Sequence, residues 1–214
     1  MHRGLIEFRK EVIETMVARV SGIPKKVGDE EIMTLPQARY PGEIRIVTDP
    51  AALRNAVDEI FTWDYVGFDT ETRPNFRKGQ RHKPALMQVA GPSLTYLFRL
   101  NMTGFHPSLR VLMNNKDLVK IGIALENDLP ELSLYGEFAP AGLVDLNQLC
   151  PRLGFESIGA RRFAALFLGL RLSKTQQTSN WENPVLTPAQ AEYAACDAWV
   201  CREIYSRLMG IVSL

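Results

Sequence analysis

Apolar side chains at the start of the chain recur at Leu5, Phe8, Val12, Met16 and Val20, the three- and four-residue spacing of one helix face. That spacing predicts a helix over residues 5–20, closed by Gly22 and Pro24. A short second helix is expected with Asp29 as its N-cap, before Pro36 and the Tyr40-Pro41-Gly42 turn. From Ile44 the pattern changes to short apolar runs alternating with helical spacing. Strands are predicted at 44–48, 65–71, 85–90, 94–100, 118–124 and 143–144, and helices at 50–61, 106–114, 127–135, 157–168 and 188–208. Gly91-Pro92-Ser93 marks a tight hairpin. Hairpin-linked strands followed by strand–helix units predict an α/β fold, with a mixed five- to six-stranded sheet flanked by helices. Residues 1–42 read as a helical extension and 43–214 as the main domain.

With 214 residues, 46% of them hydrophobic, the chain can bury one substantial core. Lys and Arg total 25 against 24 Asp and Glu, so net charge says nothing about a polyanionic partner. Local charge is more telling. Between Arg73 and Lys83 stand five basic residues and His82 with no acid, which reads equally as solvated surface or as a loop that attracts phosphates. Three cysteines (Cys150, Cys196, Cys201) without zinc-ligand spacing fit buried thiols in a reducing compartment. No apolar stretch approaches a membrane span, and the acidic N-terminal region is no secretory signal, so a soluble cytoplasmic protein is expected.

Asp69 and Glu71 end the apolar run of the second strand. Side chains two apart in a strand share a face, and carboxylates that close repel unless a cation lies between them. Further acids stand in suitable contexts: Asp128 opens a helix just past another strand, and Asp197 sits one turn after Tyr193 on the last helix. That helix is well specified, with Thr187 as N-cap, Pro188 at the first position and Gln190 completing a capping box. The spacings alone are weak. Asp29 with Glu31 repeats the first pair in a polar helix start, and Tyr65 with Asp69 repeats the second along a strand, where residues four apart lie roughly 13 Å away.

In their order and contexts the segments Phe-Asp-Thr-Glu-Thr (68–72), Ile-Gly-Ile-Ala-Leu-Glu-Asn-Asp-Leu (121–129) and Tyr-Ala-Ala-Cys-Asp (193–197) resemble the three motifs of the DEDD superfamily of 3′–5′ exonucleases. Tyrosine in the third motif marks the DEDDy branch, which includes ribonuclease D and the Werner-syndrome exonuclease domain. Pro-Ala-Leu-Met-Gln-Val-Ala (84–90) and Ser-Asn-Trp-Glu through Leu-Thr-Pro-Ala-Gln (179–190) extend the resemblance over about 43–208. Residues 1–42 match no family motif. No helical nucleic-acid-binding domain or helicase is expected beside the exonuclease unit.

The resemblance implies a ribonuclease-H-like fold and two Mg²⁺ or Mn²⁺ ions. Asp69, Glu71 and Asp197 would hold one ion, and Asp69 would bridge to a second that Asp128 reaches. It implies metal-dependent hydrolysis of phosphodiester bonds at a nucleic-acid 3′ end, DNA or RNA, releasing nucleoside 5′-monophosphates. Two ions suit that reaction because it needs a hydroxide at neutral pH and a partner for charge on the leaving oxygen. Tyr193, with an ordinary pKa near 10, is expected to orient the attacking water. The histidines, His2, His82 and His106, all lie outside the third motif, so no histidine replaces it. Thr70, Lys174 and Trp181 are the expected substrate contacts. Lys174 reads equally as surface, and Trp181 as a core residue or as a wedge against a base. Arg161 and Arg162 read as surface. Two other functions fit less of the pattern: a non-catalytic nucleic-acid-binding module on the same fold, and a two-metal hydrolase of small phosphoesters.

Overall fold

The computed structural model describes residues 4–74, 82–156 and 158–211. The basic stretch at 73–83 therefore lies mostly outside the described residues. Six strands form one mixed sheet: β1 (Glu43–Val47), β2 (Tyr65–Thr72), β3 (Pro84–Ala90), β4 (Leu94–Arg99), β5 (Val119–Gly122) and β6 (Leu143–Asp145), in the order β1-β4-β3-β2-β5-β6. β2, β3 and β4 pair antiparallel, while the β1–β4, β2–β5 and β5–β6 pairs are parallel. The hairpin expected at 91–93 is present, closed by Gly91 N–H donating to Leu94 O at 2.8 Å.

Helices cover both faces. On one face α3 (Pro50–Ile60) and α5 (Pro107–Asn114) bury Leu53, Ile60, Leu109 and Leu112 against Val66 and Phe68 of β2. On the other, α9 (Pro188–Met209) lies across β2, β3, β4 and β5. Shorter helices complete the layers: α1 (Lys10–Arg19), α2 (Asp29–Thr34), α4 (Leu100–Thr103), α6 (Leu125–Leu132), α7 (Leu146–Arg152) and α8 (Ala160–Phe163). With helices on both sides, the middle strands are buried on both faces, which explains why β3 reads as a continuous apolar run.

Three local expectations change. The first helix begins only at Lys10, because residues 4–6 instead pair with β6. Ile6 N–H donates to Leu143 O at 2.8 Å and Leu143 N–H to Gly4 O at 3.0 Å, satisfying the backbone groups of an edge strand. Gly28, not Asp29, is the N-cap of α2; Asp29 is its first helical residue and its carboxylate turns to Arg161 and Arg162. The helix expected over 157–168 is the four residues of α8 followed by a π-helical turn at Ala164–Leu168, ended by Gly169 in the left-handed region. Within the N-terminal part, Met16 and Val20 are buried in the same core as Ala195 and Ile204 of α9.

Candidate active site

The C-terminal half of β2 carries Asp69 and Glu71 beside α9. The approach depends on Gly67: a Cβ there would come within 1.8 Å of the Ala198 carbonyl oxygen, so only glycine lets the helix backbone lie this close to the strand. Asp197 precedes Ala198 and is thereby held over the strand. One carboxylate oxygen each from Asp69, Glu71 and Asp197 lies within 4.8 Å of the others. The capping box of α9 is formed as expected: Gln190 N–H donates to Thr187 Oγ1 at 3.2 Å and Thr187 N–H to Gln190 Oε1 at 2.9 Å.

Asp128 comes from α6, whose start is bent into place by an unusual residue. Ala124 sits at φ 61°, where a side chain is disfavoured. Its N–H and that of Leu125 donate to the two carboxylate oxygens of Asp145, at 3.1 and 2.9 Å. Asp145, buried at the end of β6, thus clamps the turn that delivers Asp128. Sequence reading passed over Asp145; its signal was an acid ending an apolar strand, as in Asp69. Asp128 in turn accepts from the Thr70 hydroxyl at 2.5 Å, and Glu131 from Thr72 at 2.6 Å, tying α6 to β2.

Burial and mutual repulsion hold these acids toward their neutral forms. Burial pushes Asp69 well above the usual carboxylate range, with the charges of Asp128 and Asp197 adding to it. Glu71 is raised to about 10, again by burial first and then by its acidic neighbours. Burial raises Asp197 to about 7, partly offset by the Tyr193 hydroxyl, and Asp128 to about 6, partly offset by Thr70. Crowded hard-oxygen donors fit divalent cations.

Tyr193 stands beside Asp197, and burial, together with the charges of Asp197 and Glu71, raises its hydroxyl pKa strongly, so it stays protonated. Beneath its ring, at a centroid distance of 6.0 Å, is Trp181. Trp181 has 0% exposure, packed among Ala85, Leu86, Leu97 and Ala194, which leaves no face for a base. Of the two readings of Trp181, its burial fits the core one and not the wedge: Trp181 supports Tyr193 from below. Gln190 fixes that support, since its Nε2 donates to Ser179 Oγ at 2.6 Å and to Asn180 O at 3.3 Å. Thr70 is bonded to a site carboxylate, and Lys174 is exposed on the wall of a cavity shared with Tyr193 and Asp197.

A mixed sheet that gathers four acids and a tyrosine from β2, α6 and α9 defines a class, and similarity to known proteins agrees with it. The chain belongs to the 3′–5′ exonuclease family: the model of that family matches residues 44–213. It is 32% identical over 181 residues to the Drosophila melanogaster exonuclease 3′–5′ domain-containing protein 2, covering 81% of this chain and 30% of that protein. It is 30% identical over 184 residues to the mouse bifunctional 3′–5′ exonuclease/ATP-dependent helicase WRN, covering 81% of this chain and 13% of that protein. The chain thus spans less than a third of either relative's length. The crystal structure of Escherichia coli RNase D superposes with a TM-score of 0.70 at 24% identity, covering 79% of this chain and 45% of that one, and the shared fold is ribonuclease-H-like.

Proposed function

We propose that the chain hydrolyses phosphodiester bonds stepwise from the 3′ end of DNA or RNA, releasing nucleoside 5′-monophosphates. The observation that supports this best is the meeting of Asp69, Glu71 and Asp197 within 4.8 Å of one another, Glu71 buried and the other two half-buried, with the charge of Asp128 alongside them. Asp69, Glu71 and Asp197 would hold one Mg²⁺ or Mn²⁺ ion, with Asp69 shared toward a second near Asp128. Such ions, when bound, supply a hydroxide near neutral pH and neutralise charge on the leaving 3′-oxygen. Tyr193 stays protonated and so acts as a hydrogen-bonding group that orients the attacking water, not as a base. Its ring is held at a fixed tilt on Trp181, which restricts where the hydroxyl can point. Thr70 keeps Asp128 aimed at the site by its hydrogen bond. Lys174, on the cavity wall, would meet a substrate phosphate.

Residues 43–214 form the catalytic unit in this reading, with 1–42 an extension packed against it. Three buried free cysteines support a reducing, cytoplasmic setting, and no helix among the described residues is long and apolar enough to cross a membrane.

The test is digestion of end-labelled single-stranded DNA and RNA, side by side, in Mn²⁺ or Mg²⁺ and in chelator. Stepwise shortening from the 3′ end, lost in chelator and in Asp69→Asn and Asp197→Asn, is expected. A folded protein that binds either strand but shortens neither would instead be a binding module.

A further inference from the structure

The segment that precedes the family match helps to build the catalytic cleft. Arg171 N–H donates to Pro36 O at 2.8 Å and Ala38 N–H to Arg171 O at 2.9 Å, so residues 36–38 run beside the strand-like stretch that leads to Lys174. Tyr40 N–H donates to Glu192 Oε1 of α9 at 2.7 Å. Gln37 and Ala38 consequently share with Tyr193 and Asp197 the lining of a cavity of about 130 Å³. A second cavity, of about 250 Å³, also opens on Tyr193 and Asp197, and its wall carries Arg161, Arg162 and Lys174.

Here the carboxylate displaced from its expected capping role finds its partners. One oxygen of Asp29 lies 3.1 Å from Arg161 Nη1 and 3.8 Å from Arg162 Nη2. A single oxygen shared by two guanidinium groups leaves the pair with net positive charge and with most N–H donors free for other acceptors. The Asp29 side chain is 64% exposed, and exposed ion pairs of this kind are weak and easily exchanged. A phosphodiester offers two non-bridging oxygens that share one negative charge, in the geometry guanidinium forks prefer.

We propose that Asp29 is a resident counter-ion of the Arg161–Arg162 pair, and that a backbone phosphate of the nucleic-acid strand displaces it on binding. The N-terminal extension thereby sets substrate affinity at a site outside its own domain. This inference rests on the exonuclease reading for the identity of the strand, and it concerns binding, whereas the reading concerns cleavage.

The experiment measures KM and kcat on a labelled single strand, and binding of the same strand by fluorescence anisotropy in chelator across a salt series. Asp29→Asn is expected to lower KM and Kd about fivefold, leave kcat within about twofold, and steepen the salt dependence by about one counterion. Asp29→Glu should behave as the parent chain. Arg161→Ala with Arg162→Ala is expected to raise KM and Kd at least about tenfold, and in that background Asp29→Asn should change nothing. Unchanged or weakened binding in Asp29→Asn overturns the proposal, as does an Asp29→Asn effect that persists without the arginines. Equal tightening toward a nucleoside monophosphate also overturns it, because the pair would then hold a free terminal anion and not the strand. Thermal melts check that every variant is folded. A parent chain that binds and shows the Asp29 effect yet never cleaves defeats the exonuclease reading alone; one that cleaves but shows no Asp29 effect defeats this inference alone.

Discussion

Gly67 and Ala198 are in such close apposition that a methyl group on residue 67 would come within 1.8 Å of the Ala198 carbonyl oxygen. The contact sets the distance between β2 and α9, and with it the distance between Asp69 and Asp197. Backbone cannot yield here as a flexible side chain would. Gly67→Ala is therefore expected to cost about 1–3 kcal/mol or more by overpacking and to separate the acids. Urea melts and the strand-shortening assay check this; a variant of parental stability and activity would show that the helix can move aside freely.

The buried acids give a pH dependence whose sign can be worked out. Asp128 at about 6, Asp197 at about 7 and Glu71 at about 10 all lie above their unfolded values near 4, so the folded, metal-free chain binds protons more tightly than the unfolded one. Their contribution is fully present below the unfolded pKa and is lost as pH rises through about 6 and 7 toward about 10. In chelator, Asp197→Asn should melt above the parent chain at pH 8 and the gap should close toward pH 5. Mg²⁺ or Mn²⁺ at pH 8 should raise the parent Tm and raise the variant's less. Equal melting of the two at pH 8 in chelator would refute the electrostatic account.

Trp181 and Tyr193 form a tilted ring pair in which only Tyr193 borders the cavity. Trp181→Ala should cost about 3–5 kcal/mol as a core truncation. Trp181→Phe keeps the core filled more nearly but loosens the seat of Tyr193, so kcat is expected to fall with KM changed little. A base-stacking role would show the opposite split, a raised KM at near-parental kcat. Steady-state kinetics on a folded Trp181→Phe variant separates the two.

Asp145 holds the N–H groups of Ala124 and Leu125, and it also accepts from Asn147 N–H at 2.8 Å. Asp145→Ala removes charge-assisted bonds to three buried or half-buried donors, and a loss of about 2–3 kcal/mol is expected. The turn at Ala124 should relax from its left-handed conformation and withdraw Asp128. Activity should then drop further than in Asp145→Asn, which retains one acceptor oxygen. Denaturant melts and single-turnover digestion of both variants provide the check; equal activity in both would show that the clamp does not position Asp128.

Much of this protein is legible without tertiary structure, because local rules agree with the global fold. The short apolar runs at 85–90 and 94–100, the Gly91-Pro92-Ser93 turn and the capping box of α9 each specify an element within a few residues, by local composition and backbone hydrogen bonding. Asp69 and Glu71 could be assigned to one face for the same reason: strand geometry is a local property. What could not be read is whatever depends on residues distant in sequence meeting in space. Apolar spacing at residues 5–8 suits a helix equally well, and only the unpaired edge of β6 draws residues 4–6 into the sheet. Asp29 has ordinary capping chemistry, and only the placement of α2 against Arg161 and Arg162 turns it toward the cleft. Trp181 offers the same indole whether it meets a base or a core, and burial decided for the core. The sequence by itself determined which acids and which tyrosine are present and on which elements they ride. Tertiary structure decided that Gly67 lets α9 close on β2, that Asp145 bends the chain to deliver Asp128, and that Asp69, Glu71 and Asp197 meet within 4.8 Å, because close packing and desolvation arise only when separate elements come together.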